Sequence, residues 1–442
     1  MKKINLTVNG RQVYAEEGTT ILDAAKSIGI NIPTLCHHED LDASGRCGIC
    51  VVETENSPTL KRACCTPVSE GMVIRTNTAR VRETRKIVLE LILANHPADC
   101  LQCVRNRTCE LQELAENLGI RNIRYPSILE EKPVDNLNPS IVFDPSKCIL
   151  CGRCVEVCKN VQTVWAIEIM DRGFDSHVGT AFNLPLGETS CVNCGQCITV
   201  CPVGALYEKD EVESVWDALN DPKKHVVVQE APAVRVAIGE EFGFEPGYIG
   251  SGKMHAALRR AGFDKVFDTN FTADLTIMEE GAELIGVLTS ALKTGDFSRM
   301  PVITSCSPGW IRFLETFFPG MIGLVSTAKS PQQMFGALAK TYYAQKTGID
   351  PANIVSVSVM PCTAKKFEAR RPEMRASGFQ DVDFVLTTRE FARLLKEGGV
   401  DFAAMPEEPA EEMMGAYTGA GAIFGATGGV MEAALRTAYE IL

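Results

Sequence analysis

Nowhere does this sequence hold an apolar run of the roughly 20 residues that a membrane-spanning helix needs. Its opening, MKKINLTVNGRQV, lacks the apolar core of a secretory signal, so a cytoplasmic protein without a membrane partner is expected. Positive charge is in deficit: Lys and Arg number 44 against 56 Asp and Glu, a net charge of −12. That balance argues against nucleic acid as a partner, because duplex binding needs concentrated cations. No G-x-G-x-x-G follows a strand-like run, so no nicotinamide or flavin is expected to bind this chain itself. Gly247 to Met254 (GYIGSGKM) nearly spells a nucleotide-binding P-loop, but Met254 stands where Ser or Thr must hold Mg²⁺. Low-complexity tracts are absent.

Cysteine is what the sequence has in excess. There are 18, of which 16 precede residue 202. Without an export signal they read as metal ligands rather than disulfides. A length of 442 residues suggests about three domains at roughly 150 residues each. Residues 4–14 alternate around Asn9-Gly10, a hairpin signal, and Thr20 to Asp23 resembles a capping box opening a helix through Ala25. A strand is expected over 49–53, and this small α+β module ends near Thr76. Helices are expected over 81–95 and 109–118. Four prolines (Pro126, Pro133, Pro139, Pro145) mark 125–146 as a linker, and a duplicated cysteine motif fills 148–201. Beyond Pro202, strand-like runs (226–229, 234–238, 303–305, 355–360) alternate with helical ones (254–261, 334–345), an α/β pattern.

The cysteines fall into four sets. Cys36, Cys47, Cys50 and Cys64 form the first, with Gly45 and Gly48 letting the backbone wrap closely around a rigid iron–sulfur core. Cys65 is a rival for the fourth position, and four buried thiols are the bland alternative. The second set is His96, Cys100, Cys103 and Cys109, in HPADCLQCVRNRTC. Three cysteines cannot fill the four corners of a cubane, and His96 is placed to supply the fourth ligand; a neutral imidazole should raise the reduction potential. Zinc would accept the same residues. Third and fourth are two ferredoxin-type runs, Cys148-x2-Cys151-x2-Cys154-x3-Cys158 and Cys191-x2-Cys194-x2-Cys197-x3-Cys201-Pro202. In such pairs the fourth cysteine of each run serves the other cluster, giving Cys148, Cys151, Cys154 with Cys201, and Cys158 with Cys191, Cys194, Cys197. Fifteen cysteines and His96 thus make ligands for one [2Fe–2S] and three [4Fe–4S] clusters, leaving Cys65, Cys306 and Cys362. The segment 159–190 is longer than a minimal ferredoxin needs and is expected to pack against a neighbour.

The first set resembles the N-terminal [2Fe–2S] domain of respiratory complex I and of iron-only hydrogenases. Two later segments, TSCSPGW (304–310) and MPCTAKKFE (360–368), extend the likeness over the whole chain. It is similar to the large subunit of iron-only ([FeFe]) hydrogenases, above all the NAD(P)-linked, electron-bifurcating type. The resemblance implies α+β iron–sulfur modules followed by an α/β hydrogenase-like domain. These are a β-grasp [2Fe–2S] domain (1–78), a helical module with one histidine and three cysteine ligands (79–124), the linker (125–146), a two-cluster ferredoxin-like domain (147–209) and the hydrogenase-like domain (210–442), C-terminally truncated.

In that family the active-site cluster takes a cysteine from each of the two segments and two from a later motif. Cys362 matches, with Lys365 and Glu368 in place. Cys306 matches the thiol that relays protons, while Ser307 sits at a ligand position, and no cysteine follows Cys362. No complete H-cluster and no catalytic residue are therefore expected, and Cys306 and Cys362 read as buried thiols of a retained scaffold. The resemblance implies an oxidoreductase subunit passing single electrons between a flavin- and NAD-binding partner resembling those of complex I and ferredoxin, beside a small [2Fe–2S] subunit. FMN and NAD(P) would belong to partners, since a chain without flavin cannot split a hydride. A truncated hydrogen-converting subunit and a redox-sensing protein are the alternatives.

Overall fold

The computed structural model describes residues 3–55, 57–127, 130–412, 414 and 416–441. Residues 1, 2 and 442, at the outer ends of the first and last expected domains, lie outside them, as do 128 and 129 of the expected linker. The chain packs as two units, Met1–Cys191 with Gly195–Glu208, and Val192–Cys194 with Lys209–Leu442.

In the first unit, β1 (Lys3–Val8) and β2 (Arg11–Glu16) pair antiparallel. Asn9 and Gly10 join them at φ 49° and 79°, the left-handed pair that Asn-Gly tolerates best. α1 (Ile21–Lys26) starts where Thr20 accepts the Asp23 amide at 3.1 Å; the Asp23 carboxylate takes the Thr20 hydroxyl instead of the Thr20 amide that a full capping box would engage. β3 (Val51–Thr54), β4 (Lys61–Arg62) and β5 (Val73–Arg75) complete a sheet ordered β2-β1-β5-β3-β4, in which β1 and β5 run parallel. Alternate residues Ile4, Leu6 and Val8 bury with Ile21, Ala25 and Ile74 in one core.

α2 (Ala79–Ala94) and α3 (Glu110–Asn117) follow, each within a residue or two of its expected bounds. β6 (Ile141–Phe143) then appears inside the stretch expected as a linker. After it come α4 (Arg153–Glu156), a hairpin of β7 (Glu168–Met170) and β8 (His177–Gly179), α5 (Gln196–Val200) and β9 (Leu206–Glu208). β6 pairs antiparallel with β9, joining the two ends of the duplicated segment. A three-residue strand is too short to show alternation among prolines. The buried Asn138 side chain fixes it by accepting the amides of Ser140 and Ile141 at 2.8 and 2.9 Å.

The second unit runs α6 (Val212–Asn220), β10 (His225–Glu230), α7 (Pro232–Arg235), α8 (Ser251–Ala261), β11 (Lys265–Asp268) and α9 (Asn270–Thr294). It continues with α10 (Pro308–Phe317), α11 (Pro331–Leu338), α12 (Ala344–Thr347), β12 (Ile354–Val359), α13 (Ala364–Arg370), β13 (Phe384–Leu386), α14 (Thr388–Glu397), α15 (Ala420–Ile423) and α16 (Gly429–Ile441). Its four strands are parallel in the order β11-β10-β12-β13. β12 is buried along its whole length, Ser356 and Ser358 included, although its sequence IVSVSV alternates. Two strand expectations fail. Residues 234–238 fall in and after α7, because Pro232 at the first helical position pre-sets a helical φ. Residues 303–305 make only a single bridge, Ile303 to Val325. Short apolar runs do not reveal their structure by periodicity.

Candidate iron–sulfur centres

The loop before β3 and the turn after β4 bring the first set together. Cys50 and Cys64 thiols stand 3.4 Å apart, and the Cys47 amide donates to Cys36 Sγ at 3.4 Å. Hydrogen bonds from the Cys47 and Cys64 thiols hold the Cys36 thiol far below its ordinary range. The Cys64 thiol also draws Cys50 down to about 7, against its burial. Gly45 and Gly48, at φ 61° and 70°, turn this loop. Cys65 is exposed, its thiol directed 3.8 Å from the Arg62 carbonyl.

His96 lies just past the end of α2, Cys100 opens a short helical turn, and Cys109 caps α3. Burial raises the Cys109 thiol, Cys103 and Cys100 add to that rise, and amides of the first turn of α3 oppose it. His96 Nδ1 is buried without a hydrogen-bond partner among the described residues, and burial holds the ring below its usual range, hence neutral. A buried, unpaired imidazole nitrogen fits a group that the protein atoms do not themselves supply.

Cys148, Cys151, Cys154 and Cys201 line one small cavity, closed by Phe143, Val178 and Leu206. Burial pushes Cys148 up to about 11 and Cys151 to about 12, and raises Cys154 well above its ordinary value. Thiols so crowded stay protonated until iron displaces the protons. Leu150 and Gly152 adopt positive φ (55° and 81°), and Asn193 and Gly195 repeat it at the same offsets in the second run (60° and 73°). Left-handed residues at such turns direct successive amides inward, a concave cradle for anionic sulfur. Of the fourth set, Cys158 Sγ accepts the Ala166 amide at 3.4 Å and Cys191 Sγ the Asn138 side chain at 3.8 Å. Cys197 belongs to α5, and Cys194 to the second unit. Among the described residues no three His, Cys, Asp or Glu side chains close around a single metal ion. A multi-iron core does not require this, since its thiolates are divided among several irons, one to each iron of a cubane and two to each iron of a two-iron core.

The first three ligand loops are tied together by a residue that sequence patterns do not single out. Arg153, buried between Cys151 and Cys154, forks onto Glu110 (2.7 and 2.8 Å), beside Cys109, and onto the carbonyl of His37 (2.7 Å), beside Cys36. Arg105 adds bonds to the carbonyls of Ile198 and Cys201 at 3.0 and 2.9 Å.

In the second unit Cys306 and Cys362 are half-buried. Lys365 Nζ donates to the Cys306 carbonyl at 2.8 Å and to Glu368 Oε2 at 3.0 Å, and Glu368 also accepts Ser330 and Gln332. Glu368 and Ser330 line a cavity of about 330 Å³ with Ser305 and Ser326. On α9, Glu280 is buried with neither carboxyl oxygen hydrogen-bonded within normal geometry among the described residues. Burial pushes it up to about 7, and Glu283 one turn away adds to the rise. Glu283 accepts the Ser326 hydroxyl at 2.6 Å. Nothing in the local sequence around Glu280 signals this. The P-loop lookalike has no phosphate cradle: no strand precedes α8, and Lys253 Nζ is spent on the carbonyls of Ala403 and Met405 at 2.8 and 2.6 Å.

Four family models match in succession. They describe a 2Fe-2S iron-sulfur cluster binding domain over 1–79, the NADH-ubiquinone oxidoreductase-G iron-sulfur binding region over 85–124 and a 4Fe-4S dicluster domain over 147–205. The fourth is the C-terminal domain of the iron only hydrogenase large subunit, over 224–442. NADP-reducing hydrogenase subunit HndD of Solidesulfovibrio fructosivorans is 50% identical over 100% of this chain and 76% of its own length. Iron hydrogenase 1 of Clostridium pasteurianum is 44% identical over 98% of this chain and 75% of its own. The mitochondrial NADH-ubiquinone oxidoreductase 78 kDa subunit of Candida albicans is 34% identical, over 47% of this chain and 29% of its own. Among the described residues no helix is long and apolar enough to cross a membrane.

Proposed function

The chain belongs to the iron-only hydrogenase large-subunit family, and we propose that it relays single electrons between a flavin- and NAD(P)-binding partner and ferredoxin in an electron-bifurcating oxidoreductase complex. It is an oxidoreductase subunit with 2Fe–2S and 4Fe–4S binding domains. The observation that carries the reading is that ligand loops from three successive modules are tied within one packed unit by Arg153 and Arg105. Electron tunnelling falls off exponentially with distance, so a relay needs such fixed spacing.

The first module, read as a β-grasp fold, would hold a [2Fe–2S] cluster through Cys36, Cys47, Cys50 and Cys64; their converging thiols support this. His96, Cys100, Cys103 and Cys109 would hold the second centre, supported by the unpaired His96 nitrogen. Cys148, Cys151, Cys154 and Cys201 around one cavity support the crossed ligation of the third, with Cys158, Cys191, Cys194 and Cys197 for the fourth. When bound, such clusters accept and release one electron at a time. The residues orient thiolates, exclude water and donate amides to sulfur. A partner related to those of the NADH-ubiquinone and NADP-reducing relatives would split the hydride, with a small [2Fe–2S] subunit beside it. The test is ferredoxin-dependent NAD(P)⁺ reduction by the purified complex. It should vanish in Cys154→Ser while the partner's own NAD(P)H–dye activity persists; unchanged ferredoxin-linked turnover would overturn the relay.

A second reading, hydrogen conversion, is favoured by one observation, the buried carboxyl of Glu280 between Cys306 and the Glu283–Ser326 pair. Cys306, Glu280 and Glu283 would move protons in that order toward the surface. Of the thiolates the family's active-site centre requires, these 442 residues supply Cys362 alone, so the residues present do not by themselves fit it. Gas chromatography of hydrogen from dithionite-reduced methyl viologen separates the two readings.

A further inference from the structure

A guanidinium stays charged in any protein environment, and a buried charge is costly unless something of opposite sign meets it. Arg85, on the inner face of α2, is 7% exposed. Its Nη2 donates to the Val51 carbonyl at 2.8 Å, and its Nε is buried without a partner among the described residues. Two carboxylates of α2 and the neighbouring strand β3 are taken elsewhere: Glu90 of the same helix accepts Arg124 Nε at 2.7 Å, and Glu53 pairs with Arg80 at 3.9 Å. A single carbonyl is poor compensation for a whole charge. Val51, however, directly follows Cys50, whose thiol lies 3.4 Å from that of Cys64.

We infer that Arg85 is the counter-charge of the centre held by Cys36, Cys47, Cys50 and Cys64, and that it raises that centre's reduction potential. The inference rests on the ligand reading given above. Four thiolates, two sulfides and two ferric ions make a dianion, and one-electron reduction makes it a trianion. A fixed positive charge therefore stabilises the reduced form more than the oxidised one, and the apolar surroundings of Ile49, Val52 and Leu89 leave little water to screen it. Burial pulls the Arg85 guanidinium down from its ordinary range, and a negative Cys50 is the group that acts against this. Arg85 is a positioning and charge-setting residue here; it holds no iron.

The test is an EPR-monitored redox titration of the [2Fe–2S] signal in anaerobically purified, full-length, iron-loaded chain. Arg85→Gln keeps a polar side chain and removes the charge; Arg85→Lys keeps the charge and loses the planar guanidinium. Charge pairing predicts a lower midpoint potential for Arg85→Gln at undiminished iron content, and a near-normal one for Arg85→Lys. An unchanged midpoint in Arg85→Gln overturns the inference, as does an equal fall in both variants, which would mark a mere tether. If Arg85→Gln fails to keep the centre, a loaded Arg85→Lys with the normal midpoint supports the inference and loss of the centre from both overturns it. Cys64→Ser is the control for the ligand reading: a surviving signal there refutes that reading, and the inference falls with it.

Discussion

Replacing Glu280 with Gln should abolish a pH dependence of stability that the buried carboxyl confers. In the folded chain Glu280 binds its proton more tightly than an unfolded chain would, because burial disfavours the carboxylate and Glu283 repels it. Its contribution is therefore fully present below the unfolded value and is lost as pH rises through the folded one. The lift runs from 4.5 to about 7. At about 1.4 kcal/mol for each tenfold change in proton affinity, some 3 kcal/mol should disappear between about pH 4.5 and pH 8. Gln is close in shape to the protonated acid and cannot ionise, so the variant lacks this slope while every other titrating group of the unit is kept. The three tryptophans make the assay local, since Trp216 and Trp310 lie in the second unit and Trp165 in the first. In a Trp165→Phe background, urea unfolding followed by fluorescence reports the unit that carries Glu280. Parallel stability-against-pH curves for the Glu and Gln proteins would refute the argument, and with it the neutral carboxyl that the hydrogen-conversion reading needs.

Cys64→Ser should abolish or strongly perturb the [2Fe–2S] EPR signal and Cys65→Ser should leave it intact, as befits a buried thiol 3.4 Å from Cys50 and an exposed one. The reverse pattern would assign the fourth ligand to Cys65. Iron analysis of anaerobically loaded protein should give about fourteen irons per chain, from one two-iron and three four-iron centres. About twenty would reveal a further iron centre, and an equivalent of zinc would displace the cubane at His96. Arg153→Met removes the buried guanidinium that meets Glu110 and the His37 carbonyl; a loss of about 2 kcal/mol is expected in urea unfolding followed by cluster absorbance, with weakened magnetic coupling between centres. Unchanged coupling would show that Arg153 does not set their spacing.

Much of the fold that was legible in the sequence was local. Asn9-Gly10 dictates a hairpin because both positions need left-handed φ, and the helical spacing of Val88, Leu89, Leu91 and Ile92 marks α2. The strand β10 showed through its run Val226 to Val228 and β12 through its alternating valines, although both are buried nearly throughout in a parallel sheet. β6 did not show, because its pairing with β9 lies more than 60 residues away and its neighbours are prolines. Residues 234–238 misled for the opposite reason: their composition suits a strand, but Pro232 and the turn out of β10 commit the backbone to a helix.

The ligands were legible for a chemical reason. A cluster core is rigid, so most of its thiolates must come from one tight loop, and tightness becomes a countable spacing in the chain. Charges obey no such rule. Arg153 meets Glu110 from 43 residues away and the carbonyl of His37 from 116, while Arg85 and Glu280 stand out only because Arg85 Nε and the Glu280 carboxyl oxygens are buried with no hydrogen bond of normal geometry among the described residues. The centres require these buried groups differently. A thiolate is needed to hold iron at all, whereas a guanidinium beside the loop adjusts how readily an electron arrives. The motif therefore fixes where a metal centre can be held, and buried groups around it add to what the ligands themselves do to its potential. A change of charge at position 85 would shift the potential of the first centre without touching a ligand, which the titration of Arg85→Gln reads directly.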